Sequence, residues 1–141
     1  MTFKLWHLPL RLAAGAFILN SGLNKRGLEG EAAQGVHAFA ASGHPELADV
    51  DPETFVTGLS SAEIGLGAAL LVPFIPSWFV GAGLTAFGLG LNRLYWNVPG
   101  LRQPGDVRPT EDGTPIAKDI WLTGIGAALV ADGLTGRRDD N

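Results

Sequence analysis

Cysteine is absent from the 141 residues. This excludes disulfides, thiolate-bound metals and CxxC redox chemistry carried by the chain itself. Charge is also scarce: 17% of residues are Asp, Glu, Lys or Arg, against about 25% in ordinary globular domains. What charge there is leans acidic, with a formal balance of −4. No basic stripe is available to neutralise phosphates, so nucleic acid is excluded as a partner. No Walker-type glycine loop and no Ser/His/Asp arrangement occurs, leaving neither a nucleotide cradle nor a hydrolase triad to argue from. His7, His37 and His44 offer no third metal ligand at workable spacing, because Ser42-Gly43 breaks the helix between the latter two, and no metal is expected. Lys4 gives a thin basic start, but Arg11 interrupts the apolar stretch that follows; a cleavable leader is not expected.

What is present is apolar sequence in long blocks. From Ile64 to Asn92 no residue is charged, a run longer than the roughly 10–14 residues of a usual buried core helix. The pattern predicts an all-α integral membrane protein, a four-helix transmembrane bundle with spans at about 5–23, 55–72, 77–96 and 116–134, together forming one domain. Trp78 and Trp96 stand eighteen residues apart, about 27 Å of helix, the separation of two aromatic belts. Two acid-containing polar loops, 27–52 and 97–115, separate the blocks, and a solvated tail is expected at 136–141. Within the first loop, Ala32, Ala33, Val36, Phe39 and Ala40 recur at helical spacing and predict a short interfacial helix ending at Gly43-His44-Pro45. Asp51-Pro52-Glu53 reads as a helix start. Pro73 and Pro76 force a tight turn.

Ionisable groups inside such blocks each require a partner or a role. Arg11 is expected to reach Glu63, the carboxylate deepest in its block, with snorkelling as the alternative. Asp132 lies nearer a block end, where a plain interfacial position accounts for it equally well. At the other end, Asn20, Asn24 and Lys25, Asn92 and Arg93, and Lys118 and Asp119 are expected to converge as a ligand pocket. The competing role for Lys25, Arg93 and Lys118 is anchoring at lipid phosphates. No residue is identified as catalytic.

Several short motifs resemble the DoxX-like family of small bacterial membrane proteins. They are Leu10-Arg11-Leu12 with Gly15, Phe17, Gly22 and Lys25; Phe39, Gly43 and Pro45; Ala62-Glu63 before Gly65-Leu66-Gly67; and Ala117-Lys118-Asp119 before Trp121-Leu122 and Gly124. The resemblance implies a four-helix bundle in the bacterial cytoplasmic membrane with Arg11, Glu63, Lys118 and Asp119 at its polar positions. It further implies an accessory subunit of a quinone-linked oxidoreductase, non-catalytic by itself, with the lipid bilayer and a soluble or membrane redox partner around it. Charge pairs within the spans and glycine-rich helices also suit a small-molecule or lipid carrier working as a homo-oligomer, and a ligand-free structural or assembly factor in the membrane is the third reading.

Overall fold

Glycine at seven-residue intervals decides how the long helices pair. In the computed structural model, which describes residues 4–135, the chain forms α1 (His7–Lys25), α2 (Gly30–Gly43), a 3-10 turn (Pro45–Leu47), α3 (Pro52–Leu71), α4 (Ser77–Asn97), the single turn α5 (Thr114–Ala117) and α6 (Ile120–Thr135). Antiparallel α1 and α3 meet through Gly15 and Gly22 on one side and Ser60 and Gly67 on the other. Antiparallel α4 and α6 meet in the same way, through Gly81 and Gly88 against Gly126 and Gly133. Small residues seven apart fall on one helical face, so each pair closes backbone to backbone along its length. The Ser60 hydroxyl donates to the Gly22 carbonyl at 2.8 Å, a contact that requires such an approach.

The two pairs are joined by the turn at 72–76. Near that turn they share a core in which Ile18, Leu84 and Leu129 are wholly buried and Leu70 and Val80 nearly so. Away from it the pairs separate, and α2 lies across the gap against α3 and α4. Ala33, His37, Ala40 and Gly43 form the buried face of α2. The His37 ring holds the 3-10 turn through the Leu47 carbonyl (2.8 Å) and stands edge-on to Phe55. Asp51 caps α3, its carboxylate accepting from the Thr54 amide at 3.0 Å, with Pro52 at the first helical position as the sequence signals. Residues 97–113 form an ordered excursion. Arg102 bridges to Pro109 and stacks over Trp96, and the Tyr95 hydroxyl donates to the Val107 carbonyl.

The all-α architecture is present, but the transmembrane bundle expected from the sequence is overturned. Among the described residues one helix, Pro52–Leu71, is long and apolar enough to cross a membrane. In α1, His7, Arg11, Asn20, Asn24 and Lys25 dilute the apolar sequence, and in α4 four glycines with Asn92 and Arg93 do the same. The sixteen described residues of α6 make about 24 Å of helix. With the four spans go the bilayer as partner and the bacterial cytoplasmic membrane as location. The expected interfacial helix is α2, which packs on protein. The expected tail at 136–141 lies outside the described residues. Large apolar side chains do remain on outer faces: Trp121 is 70% and Phe79 60% exposed.

The ionisable groups that had suggested an intramembrane role have partners inside the protein. Arg11, 2% exposed, does not reach Glu63. Its Nε donates to the Leu70 carbonyl (2.8 Å), Nη1 to the Ile75 carbonyl (2.8 Å) and Ser77 Oγ (3.0 Å), and Nη2 to the carbonyls of Ala69 (2.9 Å) and Val72 (2.6 Å). All five guanidinium N–H groups are used. Four take backbone carbonyls at the C-terminal end of α3 and in the turn, where helical partners run out. Burial pulls the arginine's pKa down, yet a guanidinium stays charged. Asp132 is held by Lys4 (2.7 Å) and His7 Nε2 (3.0 Å), tying the start of α1 to the end of α6. The Lys4 hydrogen bond, assisted by His7, keeps this carboxyl below the usual range. A depressed folded pKa stabilises above the unfolded value of about 3.9 and loses that contribution as pH falls through the folded one. Asp132→Asn is therefore expected to lower stability at pH 7 and to flatten the acid limb of a pH–stability profile. An unchanged acid limb would show that the Lys4 pair adds nothing.

Candidate functional site

Where the two helix pairs separate, they leave a cavity of about 710 Å³ between α1, α3, α4 and the 115–119 segment, with α2 as its roof. Its wall is mainly apolar and includes four phenylalanines, Phe17, Phe39, Phe55 and Phe87. Cavities of this size and character are the usual seats of small molecules. Three polar groupings interrupt the wall.

The first grouping lies between α1 and α3. Phe17, Ser21 and Lys25 follow one another at four-residue steps and so line one stripe of α1. Gly22 lets α3 come close enough that an added Cβ would lie 2.9 Å from the Glu63 Cβ. One turn further, Lys25 Nζ reaches Glu63 Oε2 at 3.1 Å and Ser21 Oγ at 2.6 Å. The Glu63 side chain is 3% exposed, that of Lys25 24%.

The second grouping precedes α6. Asp119, whose side chain is 9% exposed, accepts from Lys118 Nζ at 3.3 Å. The same ammonium lies 4.7 Å from the centroid of the Phe17 ring, a cation–π contact. Burial pushes the Asp119 carboxyl above its ordinary range, and Lys118 offsets this only in part. A raised folded pKa means that stability tied to this group is full below about pH 3.9 and is lost as pH rises through the folded value. Asp119→Asn is accordingly expected to make the protein more stable than the parent at pH 7, the gain disappearing in acid. Equal stability of the two proteins across pH 3–8 would contradict this.

The third grouping stands at the rim. His44 Nε2 donates to the Gly90 carbonyl at 2.9 Å, which leaves Nδ1 to accept from Arg93 Nη1 at 3.2 Å. Arg93 also grips Glu46 through both nitrogens, at 2.5 and 3.2 Å. The Glu46 carboxyl lies below its ordinary range, through its own backbone amide first and Arg93 second.

Of the residues expected to converge, Lys25, Lys118 and Asp119 share the cavity wall, and Glu63, expected to pair with Arg11, joins them through Lys25. Arg93 reaches the site through His44 and Glu46 at the rim. Asn92 instead donates to Thr123 Oγ1 at 2.8 Å, fastening α4 to α6. Asn20 and Asn24 are exposed, and Arg11 belongs to the far end. Ser21, His44, Glu46 and the phenylalanines were not anticipated. The four-residue stripe of Phe17, Ser21 and Lys25 was there to be read, but nothing local links it to α2 or the rim. Among the described residues no three His, Asp or Glu side chains gather as a metal site requires.

Compared with known protein families, with curated proteins and with solved structures, the chain finds no match. The DoxX-like resemblance is therefore not upheld. Its motifs are small residues and single charges, which here serve helix pairing and the capping of α3. The quinone-linked accessory subunit and its redox partner lose their basis with it. The lipid or small-molecule carrier, its homo-oligomer and the assembly factor were drawn from the same membrane architecture and fall with the four spans.

Proposed function

We propose that this protein binds a small, mainly apolar molecule in the cavity beneath α2, its polar part lying where the Lys25–Glu63 and Lys118–Asp119 pairs interrupt the apolar wall. The observation that carries this is the juxtaposition of a 710 Å³ apolar space with two ion pairs on its wall. A core built only for stability would close such a space, since protein interiors pack at crystal-like density. Buried carboxylates beside it cost free energy unless their charge is used.

Gly90 provides the test. It lines the cavity, and an added Cβ there meets no atom within 4 Å. Gly90→Leu would send a side chain into open space while removing a helix-interior glycine, a change favoured by about 1 kcal/mol. The variant is expected to be at least as stable as the parent and to lose saturable binding of a neutral apolar dye such as N-phenyl-1-naphthylamine. Dye binding that does not saturate near one equivalent, or that survives in Gly90→Leu, would place the dye on the outer faces and remove the cavity from consideration.

A further inference from the structure

We infer that the polar part of the molecule bound in this cavity is a cation, an ammonium carried on an apolar body, received by Asp119 and the Phe17 ring. The inference rests on the cavity reading above and names the ligand class of that same site.

The carboxylates are the fixed, inner members of both ion pairs. Glu63 and Asp119 are at least nine-tenths buried, whereas the Lys118 side chain is 41% exposed. Each carboxylate uses one oxygen, Glu63 Oε2 and Asp119 Oδ1; the second makes no hydrogen bond among the described residues. Two buried acids therefore offer unused acceptors on an apolar wall.

Lys118 already displays how a cation is held there. Its ammonium lies over Phe17 and beside Asp119, the combination of ring face and carboxylate that selects ammonium ligands. It is the weaker-held of the two lysines. It has one hydrogen bond, at 3.3 Å, whereas Lys25 has Glu63 and Ser21 together. A long flexible stem lets Lys118 swing to water, leaving its place to an incoming ammonium. The raised pKa of Asp119 agrees with an acid whose positive partner is insufficient. An anionic head would find only Lys25 and Lys118, each already engaged by a carboxylate, and the chain's −4 balance offers it no attraction.

The experiment compares n-octylammonium, n-octanol and octanoate by calorimetric titration at pH 7 with the full chain. Octylammonium is expected to bind about tenfold more tightly than octanol, and octanoate more weakly than either. Asp119→Asn, which keeps the side-chain shape, should remove most of the preference for octylammonium over octanol. Lys118→Gln, which removes the internal competitor, should tighten octylammonium several-fold. A merely structural Lys118–Asp119 pair would not produce that gain. Octanoate or octanol binding as tightly as the amine, or an amine affinity indifferent to Asp119→Asn, overturns the cation assignment while leaving the cavity reading in place. Failure of all three probes to bind overturns both.

Discussion

Arg11→Met is expected to cost this protein about 3–5 kcal/mol of folding stability, because several buried acceptors lose their donors at once. The methionine fills much of the same volume, so the loss would come from the acceptors left behind. Four carbonyls, from Ala69, Leu70, Val72 and Ile75, and one hydroxyl, from Ser77, lose their donors together. Each buried acceptor left unsatisfied costs roughly 1–3 kcal/mol, and water reaching the turn would recover part of the sum. Lysine is a poor replacement: three donors on a point charge do not reproduce a planar fork of five. Arg11→Lys should therefore regain less than half of the loss. Urea unfolding of the three proteins measures this. A loss under about 1 kcal/mol for Arg11→Met would mean that the end of α3 is satisfied without the guanidinium.

A single methyl group at Gly67 should also destabilise the protein, by a smaller amount. A Cβ there would lie 2.5 Å from the amide nitrogen of Leu19 and 2.8 Å from its Cα, both backbone atoms of the facing helix. Neither can rotate away, so α1 and α3 would have to move apart along the length that also places Lys25 against Glu63. Overpacking of this kind costs roughly 1–3 kcal/mol. Gly65, two residues earlier in the same helix, is the control: an added Cβ meets no atom within 4 Å. Gly65→Ala is expected to gain up to about 1 kcal/mol from helix propensity alone. The two alanine variants should thus shift the melting temperature in opposite directions. If both raise it, the glycine contacts between α1 and α3 are not what sets their separation. The Gly67→Ala variant should also weaken dye binding in the cavity, because its wall depends on the α1–α3 spacing.

The helices themselves were largely determined by the sequence. Apolar blocks, the Asp51-Pro52-Glu53 start and the prolines at 73 and 76 act over a few residues, and α1, α3, α4 and α6 lie on the stretches where apolar sequence recurs. Their environment was not determined in the same way. Alanine, glycine and leucine occur on all faces of these helices, so no face announces itself as inward. The same residues that read as lipid-facing spans include the glycines that pair α1 with α3 and α4 with α6.

What the buried charges do was decided only by the tertiary structure, because a charge is explained by its partner and the partners are remote in sequence. Arg11 finds carbonyls some sixty positions away, and Glu63 finds Lys25 thirty-eight positions away. Asp132 is held from the start of the chain by Lys4 and His7. Of the cavity, the sequence indicated only the gathering of Lys25, Lys118 and Asp119 at one end, not the apolar space itself. It exists because two glycine-closed pairs pack tightly at the 72–76 turn and part at the other end, where α2 covers the opening. That is a property of how whole helices diverge, and no local pattern of residues encodes it.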